Sequence, residues 1–161
     1  MSGGHEGRRA ARLAAVQALY QMEMSGDGAG EIGAEFIEYR FAEIARLTGE
    51  TPDERFFTAI LDGVPQHQVE IDRAIAAALS EKWSLTRVDS ILRAILRAAV
   101  FELVARRDVP VRAVIDEYVA MAGAFFGADE PGFVNAALDT IARRKRAAEL
   151  GLPVPDDELG F

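Results

Sequence analysis

Apolar residues recur three and four positions apart along most of this chain, which is the spacing of a buried helical face. The first such stretch runs from about Arg8 to Met24 and carries two neighbouring apolar rows, Leu13, Val16 and Tyr20, and Ala15, Leu19 and Met22. No alternation of apolar and polar residues persists long enough to indicate a strand. We therefore predict an all-α fold.

Six to seven helices follow from the same pattern. After the first, a second helix is marked by Ile37, Phe41 and Ile44. A third begins at Thr51-Pro52-Asp53-Glu54 as a capped start and is expected to bend near Val64 because of Pro65. The remaining helices span about Asp89 to Arg106, from Val109-Pro110 to Phe125-Phe126-Gly127, and from Pro131 to about Ala147. Short connections between them predict packed helical bundles.

The connecting segments predict how the domain is divided. Glycines at positions 26, 28, 30 and 33 are interpreted as a linker, and this wide loop favours two small packed bundles. Trp83 is placed in a connection. We expect a flexible N-terminal segment over residues 1–7, one helical domain over 8–147 and an acidic flexible tail over 148–161.

The composition narrows the class of protein. The chain has 161 residues and no cysteine, and no apolar run approaches the roughly 20 residues that a membrane-spanning helix needs. The segment Met1 to Gly7 lacks the apolar stretch of a secretory signal. These features predict a single-domain protein of the reducing bacterial cytoplasm.

The charge limits how such a chain could bind nucleic acid. Its formal net charge of −8 argues against binding through bulk electrostatics, so any RNA contact has to be local. Basic residues do cluster at both ends of the predicted domain, as Arg8, Arg9 and Arg12 and as the run Arg143, Arg144, Lys145 and Arg146. For the second run a helix C-terminus is a sufficient explanation, because positive charge is favoured there.

The sequence offers no catalytic arrangement. His5 and His67 stand alone rather than at a metal-ligand spacing, and the pair Asp116-Glu117 is best explained as structural charge at a helix start. No nucleophile with a base and no phosphate-binding glycine loop is present. The residues thus predict a binding protein without enzymatic activity, cofactor or metal.

The N-terminal arginines and one phenylalanine are the candidate binding residues. Arg8, Arg9 and Arg12 fall within about 100° around a helix of 3.6 residues per turn and form one basic edge suited to single-stranded RNA. From the residues alone, a solvated helix end is the favoured alternative. Phe133 either packs into the core, which periodicity favours, or stacks on a base.

Several motifs nevertheless resemble one known family. In chain order they are Ala15-Val16-Gln17-Ala18-Leu19-Tyr20, Ala94-Ile95-Leu96-Arg97, Phe101-Glu102-Leu103, Asp108-Val109-Pro110, and Phe133-Val134-Asn135 with Leu138-Asp139. They resemble the NusB family of bacterial transcription antitermination factors, over about Arg8 to Ala142 and in the family's order.

This resemblance implies a fold of two small helical bundles and binding to boxA RNA of nascent transcripts as a heterodimer with the ribosomal protein NusE. The pair would join other Nus factors on RNA polymerase. Carried over residue by residue, the RNA-binding positions are Arg8, Arg9, Arg12, Asp129, Gly132 and Phe133, and the partner-binding positions are Tyr20 and Arg93.

One departure from the family's pattern puts part of the proposed RNA contact in doubt, and two other classes of protein stay open. The loop before Phe133 has Pro131-Gly132 where relatives can carry a polar or basic pair, which puts phosphate contacts there in doubt. A NusB-like domain can precede an RNA methyltransferase, but this chain has no glycine-rich cofactor loop. The remaining alternative is a protein-interaction helical bundle, or a homodimer, without RNA binding of its own.

Overall fold

A computed structural model of the protein describes residues 6–79, 88–155 and 161. The α-helices are α1 (Arg8–Ser25), α2 (Ala29–Glu35), α3 (Phe41–Thr48), α4 (Glu54–Gln66), α5 (Gln68–Ala78), α6 (Ser90–Ala105), α7 (Val111–Phe125) and α8 (Glu130–Lys145). A π-helical turn, Phe36–Arg40, joins α2 to α3 without a break, so these two form one longer helix. In the described part of the chain this makes seven helices and no strand, which confirms the all-α prediction. His5 and Trp83 lie outside the described residues.

The helices divide into two compact units, residues 1–66 and 67–161. In the first unit α1 packs on α4, α3 and α2. Three phenylalanines fill its core, because the ring of Phe57 lies 6.0 Å from that of Phe36 and meets that of Phe41 edge to face at 5.0 Å. Such aromatic contacts stabilise a core beyond the area that they bury.

The prediction of a glycine linker was wrong for Gly30 and Gly33, which lie within α2. Gly33 is buried, and a Cβ at this position would stand 3.2 Å from the Leu61 side chain. Helix α2 therefore approaches α4 through a residue without a side chain. The glycine that sequence rules assign to a loop is used here for close helix packing.

The third predicted helix differs from the structure at both ends. The predicted start Thr51-Pro52-Asp53-Glu54 places the cap at its first residue, but the cap is Asp53, whose carboxylate accepts a hydrogen bond from the Phe56 N–H at 3.0 Å. Around Pro65 the helix breaks instead of bending, because α4 ends at Gln66 and α5 begins at Gln68. His67 between them has φ −118° and ψ 20°, outside helical values.

The second unit is built around α6, which packs against α5, α7 and α8. Its only described charged residue with no solvent exposure is Glu102, which accepts a hydrogen bond from the equally buried Tyr118 hydroxyl. Near the surface, Arg97 forms two parallel hydrogen bonds with Asp72 of α5 at 2.8 and 2.9 Å. This bidentate geometry fixes α5 against α6.

The C-terminus of α8 is held by Arg146, which is only 2% exposed. Its guanidinium donates to the carbonyls of Leu103 at 3.1 Å and Val109 at 2.8 Å, and it also pairs with Glu149. One member of the predicted basic run is therefore a buried structural anchor.

None of the helices in residues 6–79 and 88–155 is long and apolar enough to cross a membrane.

The stabilising contribution of the ion pair between Arg146 and Glu149 depends on pH through the carboxyl group of Glu149. Burial raises the pKa of Glu149, but hydrogen bonds from the Val111 N–H and from Arg146, together with the positive charges of Arg146 and Arg107, lower it below its ordinary value of 4.5. A carboxyl group with a lowered folded-state pKa stabilises the fold above its unfolded-state pKa. That contribution is lost as the pH falls through the folded-state pKa.

We predict that Glu149→Gln lowers the free energy of unfolding at pH 7 and that the difference from wild type shrinks below about pH 4.5. Urea unfolding between pH 7 and pH 3 measures this, and Glu38→Gln, on the exposed π-helical turn, is the control. A difference independent of pH would contradict the proposed ion pairing.

Candidate nucleic-acid interface

The start of α1 is fixed by the close approach of Gly7 to the turn before α4. Gly7 has φ 78°, and its carbonyl accepts hydrogen bonds from the N–H groups of Ala11 at 2.8 Å and Asp53 at 3.0 Å. A Cβ at Gly7 would stand 2.4 Å from the Thr51 carbonyl oxygen. Both the left-handed backbone and the missing side chain are required, so only glycine fits this position.

A carboxylate offsets the electrostatic cost of placing arginines here. Helix N-termini disfavour positive charge, and the first turn of α1 contains no acidic residue. Glu50 supplies the negative charge, since its carboxylate accepts a hydrogen bond from the Ala10 N–H at 3.1 Å. The basic edge is therefore compatible with a stable helix start.

The three predicted arginines differ in their surroundings. The guanidinium carbons of Arg8 and Arg12 lie 4.7 and 5.0 Å from the ring centroid of Phe56, which is itself 2% exposed. Arg12 is only 5% exposed, whereas Arg8 is half-buried and Arg9 is exposed. Arg9 is thus the most accessible of the three, and Phe56 holds the other two by cation–π contact.

Phe56 was missed by the sequence analysis. It lies beside Phe57 and four residues before Ile60, so it belongs to the edge of the same buried helical face. That spacing is the signal that could have marked it. Its role depends on the contact between α1 and α4, which a helical pattern does not report.

The second group of predicted RNA-binding residues lies at the start of α8, in the second unit. Asp129 occupies the N-cap position and is exposed, and its carbonyl accepts a hydrogen bond from the Phe133 N–H at 3.2 Å. Gly132 has open space where a side chain would be, and Phe133 is half-buried. Asp129 and Glu130 give this turn negative charge, so its chemistry suits base stacking more than phosphate binding.

The two predicted partner-binding residues lie in different surroundings. Tyr20 on α1 is 37% exposed, and Met24, one turn later, is 55% exposed. They form an accessible apolar strip suited to a protein partner. Arg93 is half-buried and donates hydrogen bonds to the Val88 carbonyl and the Ser90 hydroxyl, so it braces the start of α6.

In the described ranges 6–79 and 88–155, no group of three His, Cys, Asp or Glu side chains converges. His67, the isolated histidine, has its ring stacked on that of Phe161 at 4.4 Å. The arginines at the start of α1 can bind a ligand through their charge, and the Phe133 ring at the start of α8 can stack on one.

Comparisons with known proteins agree on one family. A sequence model of the NusB family matches residues 9–143. The chain is 51% identical over 147 residues to the transcription antitermination protein NusB of Maricaulis maris, covering 88% of this chain and 89% of that one. It is 53% identical over 141 residues to the protein of the same name from Rhizobium etli, covering 87% and 88%.

Solved structures show the same fold. A structure of T. maritima NusB superimposes with a TM-score of 0.72 at 30% identity, over 90% of this chain and 97% of that chain. A complex of antitermination factors NusB and NusE with dsRNA contains a chain that matches with a TM-score of 0.67 at 23% identity, over 84% and 95%.

We predict that Gly7→Ala destabilises the protein by about 1–3 kcal/mol more than Gly26→Ala, because of the contact with the Thr51 carbonyl. Gly26 is a matched control, since its φ of 79° is nearly that of Gly7 but nothing lies within 4 Å of its Cβ position. Chemical denaturation of both variants measures the difference. Equal losses would show that backbone conformation alone selects glycine.

We further predict that Arg12→Ala lowers the free energy of unfolding by about 1–3 kcal/mol, because it removes buried packing and the contact with Phe56. Arg9→Ala is expected to change it by less than about 0.5 kcal/mol, as is usual for an exposed residue. Urea unfolding at neutral pH checks both values. A larger loss for Arg9→Ala than for Arg12→Ala would reverse the roles assigned to them.

Proposed function

This chain belongs to the NusB family, and we propose that it is a transcription antitermination factor that binds boxA RNA of nascent ribosomal transcripts together with NusE. The relatives that share about half of its residues are transcription antitermination proteins, so its work is binding rather than catalysis. The observation that carries the RNA-binding part of the proposal is the basic edge Arg8, Arg9 and Arg12 at the anchored start of α1.

Preorganisation supports assigning RNA to this edge. A guanidinium held against an aromatic ring loses less conformational freedom when it pairs with a phosphate than one on a free side chain. Arg8 is held in this way and Arg9 is open to solvent beside it. We assign direct phosphate contacts to these two residues, and we assign to Arg12 mainly the positioning of Phe56 and Arg8.

The start of α8 complements this edge in chemistry. Phe133 supplies a ring for base stacking, and the side-chain-free Gly132 lets a ligand approach the backbone closely. Asp129 accepts hydrogen bonds from base amino groups. Because Pro131 and Gly132 carry no charge, the affinity for phosphate depends on the arginines of α1.

The charge of the chain supports a protein partner in this work. A net charge of −8 repels RNA at long range, and a basic partner compensates for that repulsion. We propose that NusE is this partner and that it contacts the apolar strip at Tyr20 and Met24. Arg93, braced at the start of α6, is proposed as a weaker second contact.

We propose further that the complex acts in the cytoplasm, where it joins other Nus factors on RNA polymerase. The competing proposal is a homodimer that uses the same apolar strip and does not bind RNA. Light scattering with and without NusE distinguishes these two proposals. A heterodimer formed on addition of NusE supports the first, and a homodimer that persists when NusE is added supports the second.

We predict that labelled boxA RNA binds the chain with NusE at least about tenfold more tightly than the chain alone. With the two phosphate contacts assigned to Arg8 and Arg9, the RNA affinity of the chain alone should fall with salt at a log–log slope of about −1.4. Arg9→Ala should weaken RNA binding about tenfold and leave NusE binding unchanged. Arg46→Ala, an exposed arginine of α3 in the same unit, is the control.

Fluorescence anisotropy titrations between 50 and 300 mM salt, on the order of physiological ionic strength, supply these values. Absence of any gain from NusE would refute the shared-binding proposal. Equal RNA affinities for wild type, Arg9→Ala and Arg46→Ala would refute the basic edge and favour a pure protein-interaction bundle.

A further inference from the structure

A groove between α5 and α8, in the second unit, contains a cavity of about 250 Å³. Small side chains, Ala74, Ala77 and Ala78, line it from α5, and Thr140 and Ile141 line it from α8. Because alanines leave the space between the two helices unfilled, the groove can accept a side chain from outside both helices.

The rim of this groove is basic. Arg73, Arg144 and Lys145 line the cavity together with a single carboxylate, Glu70. A concentration of positive charge is unusual on a chain whose net charge is −8. The groove is therefore suited to an acidic ligand with an apolar group.

Two of these cations, Arg144 and Lys145, come from the basic run for which a helix C-terminus was a sufficient explanation. Arg146 is buried beneath α8, and Arg143 pairs with Asp139 on the helix surface at 2.8 Å. Arg144 and Lys145 line the groove. The run thus has three different structural uses within four residues.

An aromatic ring of this chain lies in the groove. Phe161 lines the cavity, and its ring stacks on that of His67 at 4.4 Å with 8° between the planes. The Phe101 ring lies 6.2 Å away in a second stacked contact. The second distance falls within the range of about 4.5–7 Å for favourable aromatic pairs, and the first lies at its short end.

The sequence that leads to Phe161 has the charge that complements the rim. Asp156, Asp157 and Glu158 precede it. These three residues lie outside the described part of the chain, and their carboxylates give the segment its negative charge. A tethered acidic segment has an effective concentration in the millimolar range at such a site.

We propose that the groove between α5 and α8 is a binding site for an acidic peptide segment that carries an aromatic side chain, and that the chain's own C-terminal segment, through Phe161, occupies it in cis. This site is separate from the basic edge of α1 and does not depend on the proposed RNA binding. An external segment of the same chemistry has to displace Phe161 in order to bind.

The first test compares full-length wild type, Phe161→Ala and Phe161→Tyr by ¹H–¹⁵N NMR. Loss of the ring in Phe161→Ala should shift amide signals along His67–Ala78 of α5 and Thr140–Lys145 of α8, and should remove the ring-current shift of the His67 side chain. Phe161→Tyr keeps an aromatic ring and should stay close to wild type. If the groove signals are the same in Phe161→Ala and wild type, the proposed seating of Phe161 is wrong.

The second test adds a peptide of residues 152–161, amidated at its C-terminus so that only side chains and internal backbone contribute. It should bind Phe161→Ala at least about tenfold more tightly than wild type, in which Phe161 competes for the groove. Binding should restore the wild-type shifts at α5 and α8. A peptide with alanine in place of its phenylalanine is the matched control and should not bind.

Charge reversal tests the basic rim. In the Phe161→Ala background, Arg144→Glu with Lys145→Glu should weaken peptide binding by more than tenfold, and high salt should weaken it as well. No binding of the peptide to Phe161→Ala at millimolar concentration would overturn the proposal. So would equal binding to wild type and Phe161→Ala, or shifts at the same amides caused by an RNA oligonucleotide but not by the peptide.

Discussion

The contact between Gly7 and the turn before α4 is the constraint on which the proposed RNA-binding surface depends. It sets the first residue of α1 through a left-handed backbone and a carbonyl shared by Ala11 and Asp53. The same contact brings the first turns of α1 and α4 together, so that Phe56 lies under the guanidiniums of Arg8 and Arg12. A shift of α1 along its axis would separate the arginines from the ring.

Helical periodicity was sufficient to predict the fold class, because burial of one face imposes its spacing on each helix. It could not predict the uses of residues whose environment is created by another helix. Gly33 belongs to α2 because Leu61 fills the space beside it, although its sequence context resembles a loop. Pro65 alone is compatible with a bend, so the sequence does not distinguish a bent helix from the observed break at His67.

The candidate site could be predicted only in part, because the environment of its residues is also created by another helix. Residue type and spacing identify Arg8, Arg9 and Arg12 as one edge, but they do not show that Arg12 is 5% exposed and Arg9 is open. The resemblance to a family supplied roles that the residues alone disfavoured. Neither source could identify Phe56, whose importance comes from long-range contacts with α1.

Several arginines in the described part of the chain act as structural residues, and this bears on the RNA binding that we propose for an acidic protein. Arg146 satisfies carbonyl groups at the end of α8, and Arg97 joins α5 to α6. A guanidinium serves in these places because it spreads its charge over several fixed donors. On the proposed RNA-binding edge, the contact with the Phe56 ring keeps Arg8 ordered before the ligand arrives, so that few phosphate contacts can contribute affinity. The long-range repulsion remains, and the proposed basic partner would offset it.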